Sequence, residues 1–162
     1  MKPGDIIFIR GNSLISKIIR FFDPGHFSHV VIAISENKVL EAQYGTKVHI
    51  NEIDLTNKFY KIIDIGLSDE ERDKVVHLGI ELIGKRYDYL QILGYIIRKF
   101  YKPFQSNFFN SPNNLICSEL VYILLKRLGK IDEKTDLIDA TPNELYRYLT
   151  NNFRRKGVTS SD

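Results

Sequence analysis

The chain of 162 residues has one cysteine, Cys117. A lone thiol excludes an internal disulfide, which leaves it as buried filler or as a reactive nucleophile. An excess of one charge is also missing. Lys and Arg total 23 against 20 Asp and Glu, a net charge of +3. The basic residues are scattered apart from two small groups, Arg98, Lys99 and Lys102, and Arg154, Arg155 and Lys156. Nucleic-acid binding needs a denser basic face, so no nucleic-acid partner is expected. Long hydrophobic runs are absent too. The longest, Leu90 to Ile97, contains Gln91 and is bounded by Asp88 and Arg98. A membrane-spanning helix needs about 20 apolar residues, so no transmembrane segment is expected. Met1-Lys-Pro-Gly-Asp5 leads straight into Ile6-Ile-Phe-Ile9, which reads as a strand and not as a signal peptide, and a cytoplasmic location follows as the expectation. Repeats and low-complexity stretches are missing as well. Residues 1–155 read as one domain with its own core, and 156–162 as a frayed tail.

The first 65 residues read as mainly β. Asp5–Arg10, His29–Ile34, Lys38–Tyr44, Lys47–Ile50 and Phe59–Ile65 are rich in β-branched and aromatic residues. Between the first two, Ser13–Phe22 has a helical pattern that ends in Asp23-Pro-Gly25. The second half is helical. Ser68 with Glu71 makes a capping box before the stripe Val75, Leu78, Leu82 and Ile83. A second helix is expected over Tyr87–Tyr101, ended by Pro103, and Gln105–Asn114 reads as a loop. Cys117 opens a third helix, with Leu120, Val121, Leu124, Leu125 and Leu128 before Gly129. Thr141-Pro-Asn-Glu144 caps a fourth. The fold class is α+β, with strands first and helices after.

Cys117 stands where a polar loop turns into a helix, and unpaired backbone N–H groups at a helix start favour a thiolate. A thiol nucleophile needs a base within hydrogen-bond reach and a third group to orient that base. Of His26, His29, His49 and His77, the last reads as solvated and His26 as a rim residue, while His49 lies in a short strand. His29 opens the apolar Val30-Val-Ile-Ala-Ile34, where a polar residue is least expected without a purpose. Glu41 interrupts the next strand in the same way. A buried, unpaired carboxylate costs several kcal/mol, and an imidazole is its natural partner. Glu41 accepting from His29 Nδ1–H would leave Nε2 free as the base.

The pair carries a geometric condition. A two-residue turn at Glu36-Asn37 would put His29 and Glu41 on opposite faces, whereas an odd-numbered loop puts them on one. The bland alternatives are a Cys packed as a small hydrophobe, a satisfied structural His and a Glu on an exposed edge. A metal held by Asp23, His26 and His29 is the weaker option, since no Cys pair or third His lies nearby. The thiol chemistry calls for no metal and no cofactor.

The sequence resembles the circularly permuted branch of the NlpC-type papain-like cysteine hydrolases, the YiiX-like proteins. The residues that carry the likeness are Lys2-Pro-Gly-Asp-Ile-Ile-Phe8, Phe27-Ser-His-Val-Val-Ile-Ala33, Leu40-Glu-Ala42, Gly84-Lys-Arg-Tyr-Asp-Tyr89, Ile116-Cys-Ser-Glu-Leu-Val-Tyr122 and Thr141-Pro-Asn-Glu-Leu145. The resemblance implies a papain-like antiparallel sheet packed against helices. It also implies a Cys117–His29–Glu41 triad that hydrolyses amide bonds through an acyl-enzyme, with peptidoglycan-type peptides as one substrate class. Tyr44 is a candidate second oxyanion donor. Lecithin retinol acyltransferase-like enzymes share the permuted order but usually carry His where Glu41 stands. They supply the alternative, a lipid-directed acyltransferase, phospholipase or thioesterase. The aromatic and basic stretch Tyr89–Phe109 would then dock at an interface. The expected partner is a small peptide, amide or lipid substrate.

Overall fold

Four apolar residues in a row, Ile6-Ile-Phe-Ile9, can all be buried only in a strand covered on both faces. In the computed structural model they form β1 (Ile6–Ile9), and all four are buried. The structure describes residues 1–13, 16–17, 20–21, 23, 25–42, 47–87, 114–115, 117–138, 140–153 and 158–160. After β1 come β2 (His29–Ala33), β3 (Lys38–Glu41), β4 (His49–Glu52) and β5 (Tyr60–Ile63). The helix α1 (Asp69–Leu82) follows, then a short parallel pair, β6 (Arg86–Tyr87) with β7 (Asn114–Leu115). The chain continues through α2 (Cys117–Arg127) and α3 (Pro142–Phe153) to β8 (Val158–Ser160).

The main sheet has the order β4-β3-β2-β1-β5-β8, and its neighbours pair antiparallel. Strand alternation sorts its side chains into two cores. Ile6, Phe8, Val30, Ile32 and Leu40 face the larger core, which includes Leu120, Val121, Leu124 and Leu125 of α2 and Leu145 and Leu149 of α3. Ile7, Ile9, Val31, Ala33 and Val39 face a smaller cluster closed by Met1, Ile53, Leu55, Tyr60 and Ile62. Val158–Ser160 extends the sheet beside β5, where the sequence reading had a frayed tail. Three residues are too short for a readable alternation, and the strand depends on pairing with β5.

Helix ends follow local chemistry. At α1 both capping-box bonds form, Glu71 N–H to Ser68 Oγ at 3.3 Å and Ser68 N–H to Glu71 Oε2 at 3.0 Å. Gly79 lets α1 approach the sheet, since a Cβ there would lie 3.1 Å from Leu40 Cδ2. At α2 the chain turns off at Gly129 (φ +68°), with Gly129 N–H on the Lys126 carbonyl and Lys130 N–H on the Leu125 carbonyl. α3 has a second capping box, Glu144 N–H to Thr141 Oγ1 at 3.1 Å and Thr141 N–H to Glu144 Oε2 at 2.9 Å. Arg72 of α1 is buried because three acceptors meet it, the Pro3 carbonyl, Asp5 and Asp64. The helix expected over Tyr87–Tyr101 and the loop after it fall almost entirely outside the described residues.

Candidate active site

The β2–β3 hairpin decides whether His29 and Glu41 can meet. Ala33 lies opposite Val39, and Ile34 N–H donates to the Lys38 carbonyl at 2.9 Å, so the turn is Ser35-Glu36-Asn37. This odd-numbered turn puts His29 and Glu41 on one face. His29 Nε2 lies 3.0 Å from Glu41 Oε2, with the carboxylate side chain only 8% exposed. The nitrogen is the opposite of the one expected from sequence. Continuing the register sets Glu41 across from Val31 and diagonal to His29. Diagonal partners stand about 7–8 Å apart, a gap that the outer ring nitrogen spans better.

With Nε2 held by Glu41, Nδ1 is the ring nitrogen left for Cys117, the other group that raises the His29 pKa. Cys117, 4% exposed, belongs to the larger core, while His29 has the parity of the smaller cluster. They meet because each is terminal. His29 is the first residue of β2 and Cys117 the first of α2, which places both at an element's start and lets the thiol act on the imidazole. Burial alone would lower the imidazole's pKa. The hydrogen bonds to Cys117 and Glu41, together with their negative charges, outweigh it and raise His29 from 6.5 to about 10. Burial pushes Glu41 up, but hydrogen bonds from His29 and Asn51 and the nearby His29 and His49 charges bring it below the usual carboxylate range. The arrangement therefore favours the protonated imidazole beside the ionised Glu41 carboxylate.

β4 brings two residues that the sequence did not assign to the site. His49 stands directly opposite Glu41, and Asn51 opposite Val39, one pleat along on the same face. Asn51 Nδ2 donates to Glu41 Oε1 at 2.9 Å, and His49 Nε2 lies 3.5 Å from the same oxygen. His49 Nδ1 is 2.8 Å from the Lys47 carbonyl. The readable signal was an Asn, depleted in strands, two residues from a His in a short strand. Asn143, at the start of α3, was also missed. Its Oδ1 accepts from Phe27 N–H at 3.0 Å, and its Nδ2 donates to the Phe27 carbonyl at 2.8 Å and to Asp23 Oδ2 at 2.6 Å. It fixes the loop that enters β2 two residues before His29. Only tertiary structure reveals this role.

The remaining candidates stand apart. His26 and His77 are exposed. Asp23 is buried and committed to Asn143. Tyr44 and most of the aromatic stretch at 89–109 lie outside the described residues. Among the described residues no three His, Cys, Asp or Glu side chains are grouped so that they could hold a metal ion.

No family model matches the chain, and no curated protein matches it. Among solved structures, it is similar to the crystal structure of metalloprotein yiiX from Escherichia coli O157:H7. The match has 18% identity and a TM-score of 0.59, and it covers 99% of this chain and 88% of that one. The fold is YiiX-like. The YiiX-like fold thus extends over essentially the whole chain, and at this identity the likeness speaks for the fold alone. No helix among the described residues is long and apolar enough to cross a membrane.

Proposed function

We propose that this chain is a cysteine hydrolase of amide bonds, with Cys117 as nucleophile, His29 as base and acid, and Glu41 as the group that orients His29. One observation carries the reading: His29 is hydrogen-bonded to the buried Glu41 carboxylate and lies close enough to Cys117 for the thiol to raise its pKa together with Glu41. The chain order His29, Glu41, Cys117 adds support, because it is the order of the circularly permuted papain-like hydrolases that the sequence resembles.

With the thiol proton held on His29, Cys117 Sγ attacks the carbonyl carbon to form a tetrahedral oxyanion. Backbone N–H groups in the first turn of a helix lack intrahelical partners, so the Cys117 N–H is a donor for that oxygen. One such donor is worth roughly 3–4 kcal/mol in the transition state. The C–N bond then breaks as His29 passes its proton to the departing amine, leaving a thioester. Water, deprotonated by His29, attacks the thioester, and the acid leaves as the thiol is restored.

The metal named for the similar structure does not enter this scheme. Among the described residues the donor set does not fit one, since no three His, Cys, Asp or Glu side chains are grouped to hold it, His29 Nε2 is held by Glu41 and Glu41 Oε1 meets Asn51 and His49. The test is mass spectrometry of the intact protein after incubation with muropeptide, peptide and phospholipid pools. An acyl adduct on Cys117 that is absent from Cys117→Ala supports the reading, and an adduct from phospholipid alone moves the substrate class to lipid. The absence of any adduct, with a thiol whose alkylation ignores His29, would sink it.

A further inference from the structure

Glu41 is a buried carboxylate on β3, and a lone hydrogen bond to His29 would leave its second oxygen without a partner. That oxygen is satisfied from the outer edge of the sheet. β4 is the terminal strand, and Asn51 is exposed there, yet its amide turns inward to Glu41 Oε1 at 2.9 Å. We infer that Asn51 is a positioning residue, holding Glu41 Oε1 so that Oε2 meets His29 Nε2 and the imidazole's other nitrogen meets Cys117. The inference rests on the hydrolase reading above.

Among the described residues three groups face the carboxylate: His29 from β2, and His49 and Asn51 from β4. His29 acts on Oε2 through a hydrogen bond and through charge, and His49 acts through charge. Asn51 is the neutral one, and it is the donor at hydrogen-bond distance from Oε1, whereas His49 stands at 3.5 Å. A donor that bonds only the ionised oxygen favours the ionised form. Removing it should therefore let Glu41 protonate at higher pH and release His29 from its orientation. Replacing it with a carboxylate should do so more strongly, because two like charges share the site.

The experiment follows the carboxyl-carbon NMR titration of Glu41 and the pH profile of Cys117 alkylation by iodoacetamide in wild type, Asn51→Ala and Asn51→Asp. The Glu41 midpoint is expected to rise in that order, with the acid limb of alkylation following it. For Asn51→Ala the rate at mildly acidic pH should fall about tenfold, the worth of one charge-assisted hydrogen bond. Unchanged Glu41 titration and alkylation in both variants, or a lowered Tm with neither shift, overturns the inference. Wild-type alkylation that His29→Ala leaves unchanged overturns the hydrolase reading instead. The Glu41 midpoints then decide by themselves whether Asn51 holds the carboxylate.

Discussion

Asn143 occupies both backbone polar groups of Phe27, accepting from its N–H at 3.0 Å and donating to its carbonyl at 2.8 Å. A third bond ties the same amide to buried Asp23. Asn143→Ala is predicted to cost about 3 kcal/mol, because buried donors and acceptors lose their partners. It should also slow Cys117 alkylation by moving the chain that leads into His29. Gly25 lies against the same amide, since a Cβ there would fall 2.3 Å from Asn143 Oδ1. Gly25→Ala should destabilise the wild type more than it destabilises Asn143→Ala. Denaturation of the four proteins of that cycle tests this, and strict additivity would refute it.

The proposed chemistry makes the reactivity of the thiol depend on His29. His29→Ala removes the cation beside Cys117 and should lower alkylation at mildly acidic pH about a hundredfold. His77→Ala, in an exposed residue of α1, should leave it unchanged. Stopped-flow alkylation across pH measures both.

Stability should also follow the pair, and the sign can be worked out. His29 is raised from 6.5 to about 10, so its contribution is fully present below 6.5 and fades as pH rises through about 10. Glu41 is lowered from 4.5, so its contribution is present above 4.5 and fades as pH falls through its folded value. The stability gap between wild type and Glu41→Gln should be widest between 4.5 and 6.5. Urea denaturation over pH measures it, and a gap that grows toward alkaline pH would contradict the assignment.

Arg72 crosslinks three parts of the fold. Its guanidinium meets the Pro3 carbonyl at 2.6 Å, Asp64 at 3.1 Å and buried Asp5 at 3.4 Å. Arg72→Leu should cost about 3–5 kcal/mol by leaving a buried carboxylate without its partner. Adding Asp5→Asn should recover part of that loss. A double variant no more stable than Arg72→Leu would show that the loss comes from packing alone.

Legibility in the sequence followed how local each interaction is. Both capping boxes could be read, because Ser68 with Glu71 and Thr141 with Glu144 bond within one turn. His29 and Glu41 stood out because each breaks an apolar strand where an unpaired polar group is costly. The choice of Nε2 over Nδ1 did not, since it depends on a diagonal offset across two strands. Asn51 and Asn143 escaped for a related reason. Asn51 acts across to the neighbouring strand, and Asn143 bonds residues more than a hundred positions away. β4, read as Lys47–Ile50, lies at His49–Glu52, because an edge strand with exposed residues carries little hydrophobic pattern.

The turn Ser35-Glu36-Asn37 touches neither the thiol nor the carboxylate, yet its length governs whether they can cooperate. Its composition can drift freely within what a turn tolerates. Gaining or losing one residue would turn over the outgoing strand and carry Glu41 to the far side. In that sense the site has a counted component, tolerant of substitution and intolerant of insertion.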